Sequence, residues 1–432
     1  MTFVLERADG DKRVVGGYRF KEPAPDAKQF VHSASGIAQL PPKVDLRPFM
    51  TSVEDQRQTN SCSANATAGA YEYLMKRHLG EASYDVSRMF MYFNARAAAG
   101  EAITDDGAAL SDVIQGLQQN GACSEETWPF AEENVNDEPD AQAFDEASEF
   151  LVEDVQQIPT ELEAWKTSLA MGNPIIFGLK LFGSFDKQRK PGLVPAPSAA
   201  EAQRASHGGH AMLCVGYSDA DNVFVVRNSW GAGWGDKGYC YIPYSYVMND
   251  DYNFGDSWTI HRLAGMPDAE QGWGDDSSIL EDVTTYLGEL DDDAYTALLD
   301  AMGDYHLERR LALMFLRVVA ADGNASDEEL ARAAEYLAPA LRELGVRIDA
   351  GRLLQRTMRD ANDDARFDES VQLLGENLPP EVLANIANQI GEAAMADGEA
   401  APEEAELHAA IIAAWQLGTE EDGDGEAREG DA

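Results

Sequence analysis

The stretch "GMPDAEQGWGDDSS", residues 265–278, divides this 432-residue chain into two parts that follow different folding patterns. Its Gly, Pro and Asp content favours turns and offers almost nothing to bury, so it reads as a linker, taken here as 266–280. Over 45–265, helical stretches such as "ALSDVIQGLQQNG" mix with short apolar runs such as "AMLCVGY", "NVFVVRNSW" and "YCYIPY". That mixture predicts an α+β domain. Over 281–418 only helical patterns follow, rich in Ala, Leu, Glu and Arg, and they predict an all-α domain. The last residues, 419–432, are acidic and without apolar surface, and disorder is expected of them. Residues 1–44 show no sustained periodicity and run into the proline-punctuated "LPPKVDLRPF". They form a separate N-terminal segment.

Charge narrows the functional classes. The net charge is −44, from 77 acidic and 33 basic residues, which argues against nucleic acid as a partner because phosphate contacts need a basic patch. The last lysine is Lys237. An acidic, lysine-poor surface suits a salt-rich cytoplasm, where counter-ions screen its self-repulsion, and equally a merely acidic bacterial protein. Four cysteines in so long a chain do not make a disulfide scaffold. The start, "MTFVLERADGDKRVV", has too short an apolar run for a secretory signal. No stretch reaches the ~18 apolar residues of a membrane span. The expectation is a cytoplasmic protein in a reducing compartment.

Chemistry concentrates at Cys62 in "VEDQRQTNSCSANATAGAYEYLM", where a polar turn gives way to good helix material. Unsatisfied N–H groups at a helix N-terminus favour a thiolate, the nucleophilic form of cysteine. Gln56, six residues upstream, carries an amide suited to stabilising an oxyanion. An isolated cysteine is more often a small buried hydrophobe, and the second half of the chain changes that balance. "SHGGHAMLCVGY" puts His210 at the start of an apolar strand, 148 residues after Cys62, and "VVRNSWGAGWGDKGYCYI" puts Asn228 at the end of the next strand, 18 residues later. A Cys followed at such distances by His and Asn is a nucleophile–base–orienter arrangement.

On "VDLRP", "DQRQTNSCSANA", "WPF", "GGHAMLCVGY" and "NSWGAGWGDKGY", the segment from about Val44 to Arg262 resembles the papain-like cysteine peptidases, in particular their bacterial, short-prosegment branch. The resemblance implies a two-subdomain catalytic domain, one half helical and the other a β-barrel. It implies Cys62 as nucleophile, His210 as general base and acid, and Asn228 as the group orienting the imidazole. Gln56 and the Cys62 backbone N–H would form the oxyanion hole, and Trp230 would lie over the Asn–His bond. Gly107 in "TDDGAALSD" and Gly209 are the candidates for pairing with substrate backbone. The implied reaction is peptide hydrolysis through a thioester on a protein or peptide substrate, with no cofactor required. Transfer to an amine, giving ligation, and a silent scaffold acting through the helical domain are the alternatives. Two departures stand out. "TNSCS" replaces the family's common "CGSCW", so Thr59 removes a disulfide partner, and Arg57 occupies a position where glycine is usual. Residues 1–44 would then be a short propeptide running through or beside the cleft.

Three weaker signals complete the reading. His207, His210 and Cys214 invite a zinc site, but odd offsets on a strand point to opposite faces. Cys123, Cys214 and Cys240 read as buried small residues, with Cys214 and Cys240 placed to approach across neighbouring strands. The turns "ADGNASDEE" and "ADGEAAPEE" repeat at an offset of 75 residues. Their carboxylates, Asp322, Glu328 and Glu329 in one and Asp397, Glu403 and Glu404 in the other, suit either a capped helix start or weak binding of a divalent cation. "LMFLRVVAADGNASDEELARAAEYL" and "GEAAMADGEAAPEEAELHAAIIAAWQLG" make the helical region similar to the TerB-like family of tellurite-resistance proteins. That resemblance implies an acidic helical module for targeting or regulation, with a protein partner.

Overall fold

The computed structural model of the chain describes residues 3–7, 10, 12–31, 39–100, 102–148, 151–204, 206–264, 277–280, 285–321, 327–395 and 401–417, the side chains of 81 and 327–329 excepted. Two compact units divide it, one built from Met1–Arg7 and Lys12–Val283, the other from Ala8–Asp11 and Thr284–Ala432.

The first unit sets three helices, α1 (Cys62–Leu79), α2 (Arg88–Ala99) and α3 (Leu110–Asn120), beside an antiparallel sheet. Small residues dominate the first turns of α1, so its backbone can sit at the centre of the unit, and its first twelve residues are all buried. A Cβ on Gly69 would stand 3.1 Å from Leu213, which shows how closely helix and sheet approach. Ser87 opens α2 by accepting from Phe90 N at 3.1 Å, which satisfies a first-turn amide.

The sheet runs β4 (Val152–Gln157), β9 (Asn253–Leu263), β5 (Ile175–Phe182), β6 (His207–Ser218), β7 (Val223–Arg227) and β8 (Tyr239–Pro243), and β3 (Lys43–Asp45) also pairs with β6. Strands β5, β7 and β8 are almost wholly buried, which explains why they read as apolar runs rather than alternations. Cys214 pairs with Val226, and Val226 pairs with Cys240. Strand β7 therefore separates the two cysteines, correcting the expectation of neighbouring strands. All four cysteines are free and buried.

Residues 3–7, 12–31 and 39–44 belong to this unit. Strands β1 (Phe3–Glu6) and β2 (Lys12–Val15) form a hairpin. Tyr18 then makes a parallel bridge with Ala108, and Gln29 another with Gln157 of β4. Ion pairs join Arg7 to Asp186 at 3.7 Å and Lys28 to Asp154 at 2.6 Å, and Lys21 pairs with Asp112.

The second unit consists of helices Tyr286–Glu289, Asp292–Met302, Leu307–Val319, Asp327–Leu344, Ala350–Thr357, Asp364–Asn377, Pro380–Ala394 and Pro402–Ala414. They close on a core containing Leu311, Phe315, Leu337, Leu353 and Ile390. Among the described residues no helix is long and apolar enough to cross a membrane.

Candidate active site

Two loops draw the start of α1 to the end of β7. Asp55 bridges Trp230, Gln56 N donates to Ser229 O at 2.9 Å, and Gly231 N donates to Glu54 O at 2.9 Å. Cys62 is the first residue of α1, and the backbone N–H of Ala211, next to His210, faces its thiol. Strands β6 and β7 pair Leu213 with Arg227, so Asn228 lies one step past that pair and diagonal to His210. The diagonal is closed by a 2.9 Å bond between His210 Nε2 and Asn228 Oδ1.

Protonation at this bond follows from its partners. Asn228 Oδ1 also accepts from Ser229 N at 2.8 Å, which fixes the amide oxygen toward these donors. An oxygen only accepts, so Nε2 of His210 carries the hydrogen and Nδ1 keeps a free lone pair. His210 Nδ1 is buried and has no hydrogen-bond partner. Trp230 covers the imidazole, with ring centroids 5.2 Å apart, and packs in turn on Trp234 and Phe185.

Gln56 is held at both ends of its amide. Its Oε1 accepts from Ser229 Oγ at 2.6 Å and its Nε2 donates to Thr59 O at 2.9 Å, leaving a second amide hydrogen on Nε2. Thr59, in place of a cysteine, ties the loop with its hydroxyl, donating to Gln56 O at 2.8 Å. Arg57 adopts φ 51°, the left-handed region, which explains why glycine would be at ease there.

Cys62 and His210 are both fully buried. Burial pushes the Cys62 thiol up to about 11, against the pull of the N–H groups of Ala211, Ser63 and Cys62. The same burial brings the His210 imidazole down to about 4, against its bond to Asn228. A thiolate–imidazolium pair is therefore disfavoured in this arrangement, and neutral thiol and imidazole stand together. The N-terminal segment passes close to this pair. Gly17 lies against Asn60, where a Cβ would come 2.2 Å from the Asn60 carbonyl oxygen. Tyr18 is near enough to Cys62 for the two to interact electrostatically.

The two glycine candidates lie under this segment. Gly107, at φ 94°, leaves so little room that a Cβ would come 2.1 Å from Gly17 O, and a Cβ on Gly209 would come 3.0 Å from the Tyr18 ring. Ala108 N donates to Gly17 O at 3.0 Å, and Arg19 N donates to Ala108 O at 3.2 Å. Sequence reasoning missed Ser229, Tyr18 and Asp256. The glycine pair before Tyr18 in "VVGGYRF" is the signal that marks a close backbone approach.

His207 packs edge-on to Phe182 at 5.6 Å while His210 bonds Asn228, so the two histidines do not converge on a metal. Among the described residues, the carboxylates able to meet around an ion are Glu54, Glu72 and Asp85. Arg88 pairs with Glu54 at 2.8 Å, and Arg227 also acts on Glu54 and Glu72, so this group is neutralised by guanidinium. Asp322 and Asp397 and the side chains of Glu328 and Glu329 lie outside the described residues. Glu403 is exposed in the first turn of its helix, and Glu404 accepts from Ala401 N at 2.7 Å, a helix-start bond.

The description "Papain family cysteine protease" matches residues 40–252, and "Tellurite resistance protein TerB" matches 308–421. An uncharacterized peptidase C1-like protein of Acanthamoeba polyphaga mimivirus is 32% identical over 258 residues, covering 55% of this chain and 81% of that protein. Bovine pro-cathepsin H is 26% identical over 236 residues, covering 52% of this chain and 66% of its own length. Among solved structures, xylellain, a cysteine protease from Xylella fastidiosa, superposes with a TM-score of 0.53 at 31% identity, over 57% of this chain and 95% of that one. With this identity carried over nearly the whole of xylellain, and a free cysteine beside a histidine bonded to asparagine, the chain belongs to the papain family of cysteine proteases.

Proposed function

We propose that the chain hydrolyses peptide bonds in proteins or peptides, with Cys62 as nucleophile and His210 as general base and then acid. The observation that carries this reading is the 2.9 Å bond from His210 Nε2 to Asn228 Oδ1, which leaves the Nδ1 lone pair to take a proton from sulfur. As the sulfur attacks the scissile carbonyl, the thiol proton passes to Nδ1. The oxyanion that forms accepts from the spare Gln56 amide hydrogen and the Cys62 N–H. Collapse expels the amine, protonated by His210, and leaves a thioester. Water, deprotonated by His210, attacks the thioester and restores the thiol.

Residues 12–31 act in this reading as a strap that occupies the cleft and must leave before substrate enters. The helical unit supplies targeting or regulation through a protein partner and no catalytic group. The test is labelling with an epoxide thiol inhibitor, located by mass spectrometry, alongside cleavage of a peptide mixture. Attachment at Cys62 with loss of cleavage supports the assignment. Cleavage that persists in Cys62→Ala removes it.

A further inference from the structure

We propose that Asp105 is a positioning residue of the cleft, which ties the loop before Cys62 to the edge at Gly107 so that the oxyanion donors and the backbone-pairing edge keep one register. The proposal rests on the peptidase reading above. It concerns how the substrate carbonyl is held, not which side chain is selected.

Several bonds converge on this residue. Asn60 N donates to Asp105 Oδ1 at 2.9 Å, and the Tyr92 hydroxyl donates to the same oxygen at 2.9 Å. Asn60 Nδ2 donates to the Asp105 backbone carbonyl at 2.7 Å, which holds the loop a second time. On the far side, Gly107 N donates to the Tyr92 hydroxyl oxygen at 2.8 Å. Asn60, Asp105, Tyr92 and Gly107 therefore form one run of bonds. It leads from the residue two before Cys62 to the edge where Ala108 N meets Gly17 O. Tyr92 is a firm pivot for it. The residue is fully buried on α2, and the Arg96 guanidinium lies 3.8 Å over its ring while donating to Thr104 O at 2.9 Å.

Two further observations give the link a purpose. Gly17 touches both ends of it at once, since a Cβ on Gly17 would come 2.2 Å from Asn60 O and a Cβ on Gly107 would come 2.1 Å from Gly17 O. A backbone in the cleft therefore meets the Asn60 loop and the Gly107 edge together. Any slip between them misplaces its carbonyl against the Cys62 N–H and the Gln56 amide. The loop also has no covalent cross-link to prevent such a slip, because Thr59 removes the disulfide partner and all four cysteines are free. A carboxylate oxygen shared by two donors makes the stronger kind of hydrogen bond, and its loss strands the Tyr92 hydroxyl and the Asn60 N–H. Because misplacement by an ångström can cost about 100-fold in rate, Asp105→Ala should lower kcat by about 10- to 100-fold. Asp105→Asn keeps an oxygen for both donors and should stay within about 3-fold of wild type.

The experiment uses the full chain and titrates accessible Cys62 with a small uncharged epoxide, so that kcat is expressed per reactive site and opening of the strap divides out. Opening an epoxide needs the thiol and the imidazole, whereas acylation by a peptide also needs the oxyanion donors. Asp105→Ala should therefore lose kcat on a peptide while epoxide labelling is no slower than in wild type, and Asp105→Asn should restore the rate. That combination supports the assignment. Unchanged kcat in Asp105→Ala, equal losses in the Ala and Asn variants, or labelling that falls in step with kcat overturns it and leaves the peptidase reading intact. A wild-type chain that labels at Cys62 and cleaves no peptide overturns both. Tyr92→Phe covers failure of Asp105→Ala to fold, since it cuts the link to Gly107 and leaves the Asn60 bonds in place. Its KM should rise about 10-fold with kcat within about 3-fold of wild type, and an unchanged KM overturns the role of the link.

Discussion

Gly17→Ala isolates the strap from everything else in the catalytic unit. Gly17 does not lie in the left-handed region, so alanine suits the backbone there as well as glycine does. Space is the obstacle. The new Cβ would stand 2.2 Å from Asn60 O, 2.5 Å from Asn60 C and 2.7 Å from Asn60 Cα, all of them backbone atoms that cannot swing aside. An ordinary contact needs more than an ångström of additional separation. That displacement breaks the flanking bonds, Ala108 N to Gly17 O at 3.0 Å and Arg19 N to Ala108 O at 3.2 Å. Two bonds at about 1 kcal/mol each weaken docking by about 2 kcal/mol, a roughly 30-fold larger open fraction. Because the inhibitor reacts only with the open form, its rate of attachment to Cys62 should rise by about 10- to 100-fold in the full chain. Thermal unfolding of the sheet and helices should hardly change, since no core side chain is touched. Labelling at the wild-type rate, with the substitution verified, would refute the claim that this segment gates the cysteine.

Cys62→Ala and His210→Ala should each abolish peptide cleavage with the fold intact, whereas Asn228→Ala should retain a measurable fraction, because it orients the ring and transfers no proton. Ser229→Ala frees the Gln56 amide to rotate, and kcat should fall about 10-fold with KM nearly unchanged. Equal falls in affinity and rate would contradict an oxyanion role. Glu72 is fully buried, and burial raises its carboxyl from 4.5 to about 7, so its stability contribution is complete below pH 4.5 and lost as the pH rises through 7. Glu72→Gln should therefore gain on wild type by about 2–4 kcal/mol between pH 4 and pH 8 in denaturant titrations, and parallel curves would refute the shift.

The residues of the candidate site were legible because each sits where local pattern and chemistry coincide. Cys62 follows a polar turn and opens a helix of small residues, and the β6–β7 hairpin brings His210 and Asn228 together over only 18 residues. The helical unit was legible from periodicity alone. What escaped is carried by contacts distant in sequence. Tyr18 and Asp256 lie 238 residues apart, and nothing local in "GDSW" announces a partner for the carboxylate. The placing of Cys214 and Cys240 on neighbouring strands differs from the structure for a related reason. Apolar strands declare their existence, but their order in the sheet depends on pairings that the runs themselves do not encode.

Ionisation was the least legible property, and it connects the strap to the chemistry. A helix N-terminus favours a thiolate, and the N–H groups of Cys62 and Ser63 do pull in that direction. Desolvation outweighs them, because withdrawing a charge from water costs more than these oriented dipoles return. Both members of the pair move the wrong way for ion-pair formation, the thiol up to about 11 and the imidazole down to about 4. In the proposed reading, a segment lying over Gly107, Gly209 and Asn60 both excludes substrate and favours the neutral thiol of Cys62. Release, in this reading, would readmit water to sulfur and ring together and move both groups back toward values that allow proton transfer between them. On the same reading, a substrate backbone that takes the place of Gly17 and Tyr18 would meet an ionisable site, with the Gln56 amide and the Cys62 N–H as the proposed donors to its carbonyl. The proposal thus makes steric blockage and electrostatic silencing one event, which the Gly17→Ala labelling rate tests through the contact of Gly17 with Asn60.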